Sequence, residues 1–298
     1  MIDPHPQTVC FIGLGTMGHE MAINLMKAGH RVHAFDVRSE ATDALATLGA
    51  TPCQSIAAAA GPADVAITML PDTPDVEAVI YGDGGLRANP PAGRLVIDMS
   101  TIAPDAARRI SGDLVWSGVD FIDAPVSGGP VGARNATLSI MAGGKADAIT
   151  RARNVFSGMG TTITHVGPSG AGQTVKLCNQ LVCGINIQAI CEAIALGRAS
   201  GVDLHLLRDV LMGGSAASWM LDKLGPAMIE GDAKAGFRID LMLKDLRLVQ
   251  QQAQSLTVPL PATALVTNQY IEARAHGEGH NGNQALFRVY DRMTNQAR

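Results

Sequence analysis

Aromatic side chains are scarce in this chain: 2 Trp, 3 Tyr and 6 Phe make 4% of 298 residues, so its cores should be built from Ala, Leu, Ile, Val and Met. Basic charge is not in excess either. With 23 Lys and Arg against 27 Asp and Glu the net charge is −4, and no basic field exists to draw in nucleic acid or an acidic membrane surface. Cys-x-x-Cys does not occur. The five cysteines, Cys10, Cys53, Cys178, Cys183 and Cys191, are odd in number, three of them in one apolar helical stretch, and read as buried thiols of a reducing compartment. The histidines show no ligand-like spacing on a helix face and no Cys/His cluster joins them, so no metal is expected. Met1-Ile2-Asp3-Pro4-His5-Pro6 lacks a charged n-region, and the apolar stretch after it meets Gly13, Gly15 and Gly18 rather than a cleavage site, so no signal peptide is expected. The longest apolar run, 181–197, holds Asn186, Gln188 and Glu192 and reads as too polar and too short for a bilayer span. A cytoplasmic, aliphatic-rich protein is expected, without nucleic-acid or membrane partners. At about 100–200 residues per domain its length allows two domains.

Two halves differ in pattern. From residue 8 to about 165, short β-branched runs alternate with helical stretches, the pattern of βαβ units on a parallel sheet. Residues 8–12, 31–35, 64–69, 95–98 and 120–123 are the clearest strands, and 138–142 and 162–166 are two more that one extended sheet could take. Beyond Gly167-Pro168-Ser169-Gly170, apolar residues recur at helical spacing and no strong strand follows. A helix over 172–200 would be roughly 42 Å long at about 1.5 Å per residue. Gly201, Gly213-Gly214, Gly225-Pro226, Gly231 and Pro259-Leu260-Pro261 should punctuate the later helices.

Gly13-Leu14-Gly15-Thr16-Met17-Gly18 fits G-x-G-x-x-G, follows an expected strand and opens a helical pattern that stops at Gly29. The glycines permit a tight turn and let a helix N-terminus face a pyrophosphate. Such a hexapeptide can be a mere structural turn, but here a second strand ends in Asp36, roughly 20 residues on, where the ribose-binding acid belongs. Asp36 can accept from a ribose 2′-hydroxyl and repels a 2′-phosphate, which favours NAD; Arg38 is the complication, since an Arg there accommodates NADP. As a structural residue Asp36 would be a cap or turn. Asp123 to Ala133 follows another strand at the carboxyl edge, where Gly128 and Gly129 expose backbone N–H groups and Ser127 adds a hydroxyl: a nest for a carboxylate, or a flexible turn. Lys176, seven residues into a Gly-rich approach to a long apolar helix, is either a surface lysine or a buried one fitted for proton transfer. Lys244 beside Asp245 reads equally as a solvated helix face. Asn135-Ala136-Thr137 is a sequon without meaning in a cytoplasmic chain.

Together these stretches resemble the β-hydroxyacid dehydrogenase family. The resemblance spans nearly the whole chain: Phe11 to Gly18 with Asn24 to His30, then Thr68-Met69-Leu70-Pro71, Asp98-Met99-Ser100-Thr101, Asp123 to Gly129, and Gly170 to Asn179. It implies an α/β fold, with a doubly wound Rossmann NAD-binding domain (1–167), an interdomain helix (168–200) and an all-α substrate and oligomerisation domain (201–298). It places the catalytic lysine on Lys176 and cofactor contacts on the Gly13 loop, Asp36, Leu70, Pro71, Asp75, Thr101 and Lys244. The substrate carboxylate falls on Ser127, Gly128 and Gly129, with Asn179 and Gln180 near the reacting hydroxyl. Two departures stand out: many members carry Asn-Asn where this chain has Asn179-Gln180, and a Gly where it has Ala136. Gln180 and the stretch from Gly236 to Leu241 look most like the tartronate semialdehyde reductase branch, and so point to a three-carbon aldehyde acid.

The expected activity is NAD-dependent hydride transfer on a short hydroxy acid or its semialdehyde, with Lys176 as general acid in reduction, in a homodimer or homotetramer. A non-catalytic cofactor-binding protein and an imine reductase are the rivals, and Lys176 argues against both. The phosphogluconate members are longer and carry phosphate-binding arginines.

Overall fold

The computed structural model describes residues 5–294, and the chain divides into two compact units, the first ending at Lys176 and the second beginning at Leu177. The first unit alternates strands and helices: β1 (Thr8–Ile12), α1 (Thr16–Lys27), β2 (Arg31–Phe35), α2 (Ser39–Ala46), β3 (Thr51–Pro52), α3 (Ile56–Ala60), β4 (Val65–Thr68), α4 (Thr73–Tyr81), β5 (Leu95–Asp98), α5 (Pro104–Trp116), β6 (Asp120–Asp123), β7 (Val126–Ser127), α6 (Gly129–Arg134), β8 (Leu138–Gly143), α7 (Ala146–Ser157) and β9 (Gly160–Gly167). One nine-stranded sheet takes them in the order β3-β2-β1-β4-β5-β6-β8-β7, with β9 on β8. From β3 to β6 all neighbours are parallel, as helical crossovers require. Strand order reverses at β1, which has β2 on one side and β4 on the other, so the loops leaving β1 and β4 flank a crevice at the carboxyl edge.

Both sheet faces are covered, which is why the strands read as apolar runs. In β1, Val9 and Phe11 pack with Met21, Ala22 and Leu25 of α1, while Cys10 and Ile12 pack on the other face with Ala59, Ala60 and Ile110. Each fully buried Val, Leu, Ile, Phe or Met among them contributes about 1.5–3 kcal/mol by leaving water. The expected parallel order fails beyond β6. There the chain turns back through β7 and a six-residue α6 instead of a long crossover, so β8 runs antiparallel to β6 and to β7.

The long α8 (Ala171–Ala199) continues into the second unit, followed by α9 (Leu204–Met212), α10 (Trp219–Glu230), α11 (Ile239–Ser255), α12 (Pro261–Ala275), a 3-10 turn (Asn283–Leu286) and α13 (Phe287–Met293). Apart from one β-bridge, Arg238 to Gly282, no strand follows Gly167 among the described residues. By length and apolarity alone α8 would satisfy a membrane span, with a mean hydropathy of 1.4 over 18 residues, contrary to the expectation that its polar residues disqualify it. Its buried face, Ile187, Ile190, Cys191 and Ile194, forms the second unit's core with Leu221, Met242, Leu246 and Tyr270.

Gly225-Pro226 does not break a helix. Pro226 lies inside α10, where it removes the N–H that would reach the Asp222 carbonyl; the Arg208 guanidinium of α9 donates to that oxygen instead at 3.1 Å. The cysteines also differ from expectation: Cys10 and Cys191 are buried, Cys53 and Cys183 partly so, and Cys178 is exposed.

Candidate active-site residues

The three loop glycines do three different things. Gly13 holds φ +95° while donating to the Phe35 carbonyl at 3.0 Å, and a Cβ on it would lie 2.4 Å from the Met69 carbonyl oxygen. Around Gly15 a Cβ would meet nothing within 4 Å, so the backbone is open to a ligand. A Cβ on Gly18 would stand 1.9 Å from the Gly13 carbonyl oxygen, so only glycine lets α1 sit this close to the strand. Leu14 is buried, Thr16 exposed and Met17 half-buried, and α1 starts without a side-chain cap. This cradle fits a pyrophosphate.

Asp36 closes the same loop. Its Oδ2 accepts the Leu14 N–H at 2.7 Å and its Oδ1 accepts the Arg38 backbone N–H at 2.9 Å and Nε–H at 3.1 Å. Partial burial opposes ionisation, but hydrogen bonds from Arg38 and Leu14 outweigh it and hold the carboxyl below the usual range. The Arg38 side chain is 60% exposed.

A buried polar chain organises the ends of β4 and β5. Thr68 donates to Asp98 Oδ1 at 2.8 Å, the same oxygen accepts the Ser100 N–H at 3.1 Å, and Ser100 Oγ accepts the Leu70 N–H at 2.9 Å. Leu70, followed by Pro71, thereby lies beside the Gly13 turn, where a Cβ on Gly13 would reach Leu70 Cδ2 at 2.8 Å. Thr101, half-buried, sits between Ser100 and Ile102, both gripped by Gln173: its Nε2 donates to the Ser100 carbonyl at 2.8 Å and its Oε1 accepts the Ile102 N–H at 3.1 Å. Asp75 has a local duty, accepting the Asp72 N–H at 3.1 Å in the capping box of α4.

Ser127 ends β7 opposite Ser139, and Gly128 (φ +129°) and Gly129 (φ +60°) turn the chain into α6. Asn24 of α1 holds α6 from behind, donating to the Ala133 carbonyl at 2.6 Å. Asp123 accepts the Gly170 and Gln173 N–H groups, and Lys176, on the same side of α8 as Gln173, is only 6% exposed.

In the second unit, Asn179 donates to Gln180 Oε1 at 2.8 Å, Gln180 Nε2 donates to Asp245 Oδ2 at 2.6 Å, and Lys244 Nζ pairs with Asp245 Oδ1 at 2.7 Å. Gln180 and Lys244 are thus joined through one buried carboxylate. Lys244 is not on a solvated face: its side chain is 15% exposed.

The roles of Asp98, Asp123, Gln173 and Asp245 escaped sequence reasoning. One signal was present: Leu95-Val96-Ile97-Asp98 and Phe121-Ile122-Asp123 are apolar strands ending in an acid, and a carboxylate in that position must find buried donors. Among the described residues, no group of three or more His, Cys, Asp or Glu is placed to hold a metal ion.

Comparison with known proteins agrees with this architecture. Residues 8–167 match the family described as the NAD binding domain of 6-phosphogluconate dehydrogenase, and residues 170–290 the family described as NAD-binding of NADP-dependent 3-hydroxyisobutyrate dehydrogenase. The 2-hydroxy-3-oxopropionate reductase of Escherichia coli (strain K12) is 39% identical over 285 residues, covering 96% of this chain and 97% of that one. For the 3-hydroxyisobutyrate dehydrogenase of Pseudomonas aeruginosa, identity is 40% over 282 residues, with 92% and 94% covered. A solved structure of Mycobacterium tuberculosis 3-hydroxyisobutyrate dehydrogenase with L-serine aligns with a TM-score of 0.88 at 34% identity, covering 96% and 99%. With relatives of this identity matched over more than nine-tenths of both chains, the chain belongs to the β-hydroxyacid dehydrogenase family, nicotinamide-dependent oxidoreductases that act on the CH–OH group of small hydroxy acids.

Proposed function

We propose that the chain interconverts a short β-hydroxy acid and its semialdehyde, with tartronate semialdehyde as the preferred substrate and NADH as the preferred cofactor. The observation that carries this reading is Lys176, a lysine only 6% exposed on α8, with Asn179 and Gln180 three and four residues on and so on neighbouring helix positions. A nicotinamide cofactor held at the Gly13 to Gly18 turn and Asp36 would supply the hydride for the aldehyde carbon. Lys176 gives a proton to the carbonyl oxygen as that oxygen gains charge, and recovers it from the alcohol in the reverse direction. Ser127, Gly128 and Gly129 hold the substrate carboxylate; Asn179 and Gln180 orient the reacting oxygen. The Gly13 to Gly18 turn holds the pyrophosphate and Asp36 the ribose, with Leu70, Pro71, Asp75, Thr101 and Lys244 lining the rest of the cofactor.

The three-carbon substrate is favoured by the Asn179-Gln180 pair and the stretch from Gly236 to Leu241; the Escherichia coli reductase is one relative that makes it a candidate. The relative from Pseudomonas aeruginosa makes methylmalonate semialdehyde, the aldehyde of 3-hydroxyisobutyrate, the second candidate. Residues 1–167 would form the nucleotide domain, 168–200 the link and 201–298 the domain that pairs copies through Leu206, Val210 and Trp219, each more than half exposed. The cytoplasm is the compartment assigned. The test is NADH oxidation across small aldehyde acids and their amides. Tartronate semialdehyde should lead, and its neutral amide should lose roughly tenfold or more in kcat/KM, because buried donors are left unpaired. Equal efficiency for the amide would end the carboxylate-capture reading.

A further inference from the structure

We propose that Asp123 is a positioning residue for Lys176: from the end of β6 its carboxylate caps the start of α8 and fixes the turn on which the lysine stands. The inference rests on the reading of Lys176 as proton donor. Helix α8 begins at Ala171, so Gly170 occupies the position where a helix takes a capping side chain. Gly170 cannot supply one. It holds φ +88°, and a Cβ there would lie 2.8 Å from Arg108 and 3.0 Å from the Pro104 carbonyl oxygen. The cap therefore comes from another strand. Asp123 Oδ1 accepts the Gly170 N–H at 2.7 Å, and Oδ2 accepts the N–H of Gln173, third residue of the helix, at 2.9 Å.

The fit admits little slack. A Cβ on Gly172 would stand 2.4 Å from the Asp123 carbonyl oxygen, and one on Gly143 2.7 Å from Asp123 Oδ1. With the Gln173 amide clamped on Ser100 and Ile102, the first turn of α8 is pinned to the ends of both β5 and β6. Lys176 follows Gln173 by three residues, about 4.5 Å along the axis and about 60° short of a full turn. A slip of the first turn moves the turn that carries Lys176, and a misplacement of about 1 Å can cost about 100-fold in rate. Holding the helix this way is expensive: burial pushes the Asp123 carboxyl up to about 7, the bonds from Gly170 and Gln173 offsetting part of the penalty and Asp98 adding to it. Charged groups on the elements packed around it are Asp98, across the register on β5, Lys176 on α8 and, on α5, Arg108, which lies against Gly170; the other charged residues of α5 and those of α7 are exposed or half-buried, and β8 offers only Gly143.

The experiment compares the full-length enzyme with Asp123→Asn, Lys176→Ala and the double variant, using tartronate semialdehyde and NADH. Asparagine keeps the shape but aims an N–H at a backbone donor. Asp123→Asn should lose about 30- to 100-fold in kcat, keep its NADH Kd within about twofold, and add no loss in the Lys176→Ala background. Wild-type kcat should fall as pH drops through about 7 and the cap is protonated, and the variant should lack that limb. If Asp123→Asn does not fold, Asp123→Ser, which retains an acceptor, takes its place with the same expectations. An inactive Lys176→Ala beside an Asp123 variant with kcat near wild type, an unchanged acid limb or fully multiplicative losses overturns the positioning role alone. A fully active Lys176→Ala overturns the proton-donor reading and this inference with it.

Discussion

Alanine at each of three glycines should separate folding from cofactor binding. At Gly18 the new Cβ would lie 1.9 Å from the Gly13 carbonyl oxygen, against a limit of 3.0 Å that real Cβ atoms essentially never cross. The first turn of α1 must then retreat by about 1 Å, and overpacking of this kind costs about 1–3 kcal/mol. Gly18→Ala should lower Tm and, since the retreating turn carries the phosphate-facing backbone, raise the NADH Kd by about 10- to 100-fold. Gly15 has φ −71° and open space, so Gly15→Ala should leave Tm unchanged while its methyl occupies the face a pyrophosphate must approach, again raising Kd about tenfold or more. Gly29→Ala is the converse: φ +92° makes it strained by about 1 kcal/mol, yet it should bind NADH as wild type does. Thermal melts and NADH fluorescence titrations read both quantities. Wild-type affinity in Gly15→Ala, or unchanged Tm and Kd in Gly18→Ala, would refute the assignment of the loop.

Asp36→Ala should narrow the preference of kcat/KM for NADH over NADPH about tenfold or more, because Arg38 loses its carboxylate partner and can meet a 2′-phosphate; a wild-type preference for NADPH would hand control of the pocket to Arg38. Ala136 holds φ +54°, so Ala136→Gly should stabilise the fold by about 0.5–1 kcal/mol, and a lower Tm would mean that this turn is not strained. Light scattering at micromolar concentration should give a multiple of 31.0 kDa; a monomer mass would leave the exposed Leu206, Val210 and Trp219 needing another explanation.

The nucleotide half was legible because its signals are local. Strand, glycine turn, helix and acid follow one another within some 30 residues, and the structure gives Gly13 and Gly18 separate steric reasons while leaving the space around Gly15 open. The helical half was legible as a class, through period and breakers, but not at Gly225-Pro226: the carbonyl that Pro226 leaves without its helical donor is met by Arg208, a residue on another helix. The same kind of reach hid the supports of the candidate site. Asp123 is 47 residues from Gly170, Gln173 is 73 from Ser100 and Gln180 is 65 from Asp245, so no local pattern reveals that these groups meet. Ala136 shows the opposite case, in which a departure from the family pattern coincides with a left-handed backbone conformation that glycine tolerates better.

The most direct test of the account is the single-turnover rate of Lys176→Ala with NADH and tartronate semialdehyde, measured beside its NADH affinity. A proton donor in the transition state is worth about 10²–10⁴-fold, so the rate should fall by that factor while the NADH Kd stays at the wild-type value, the Gly13 loop being untouched. A rate within a few-fold of wild type would remove Lys176 from the chemistry and contradict the account.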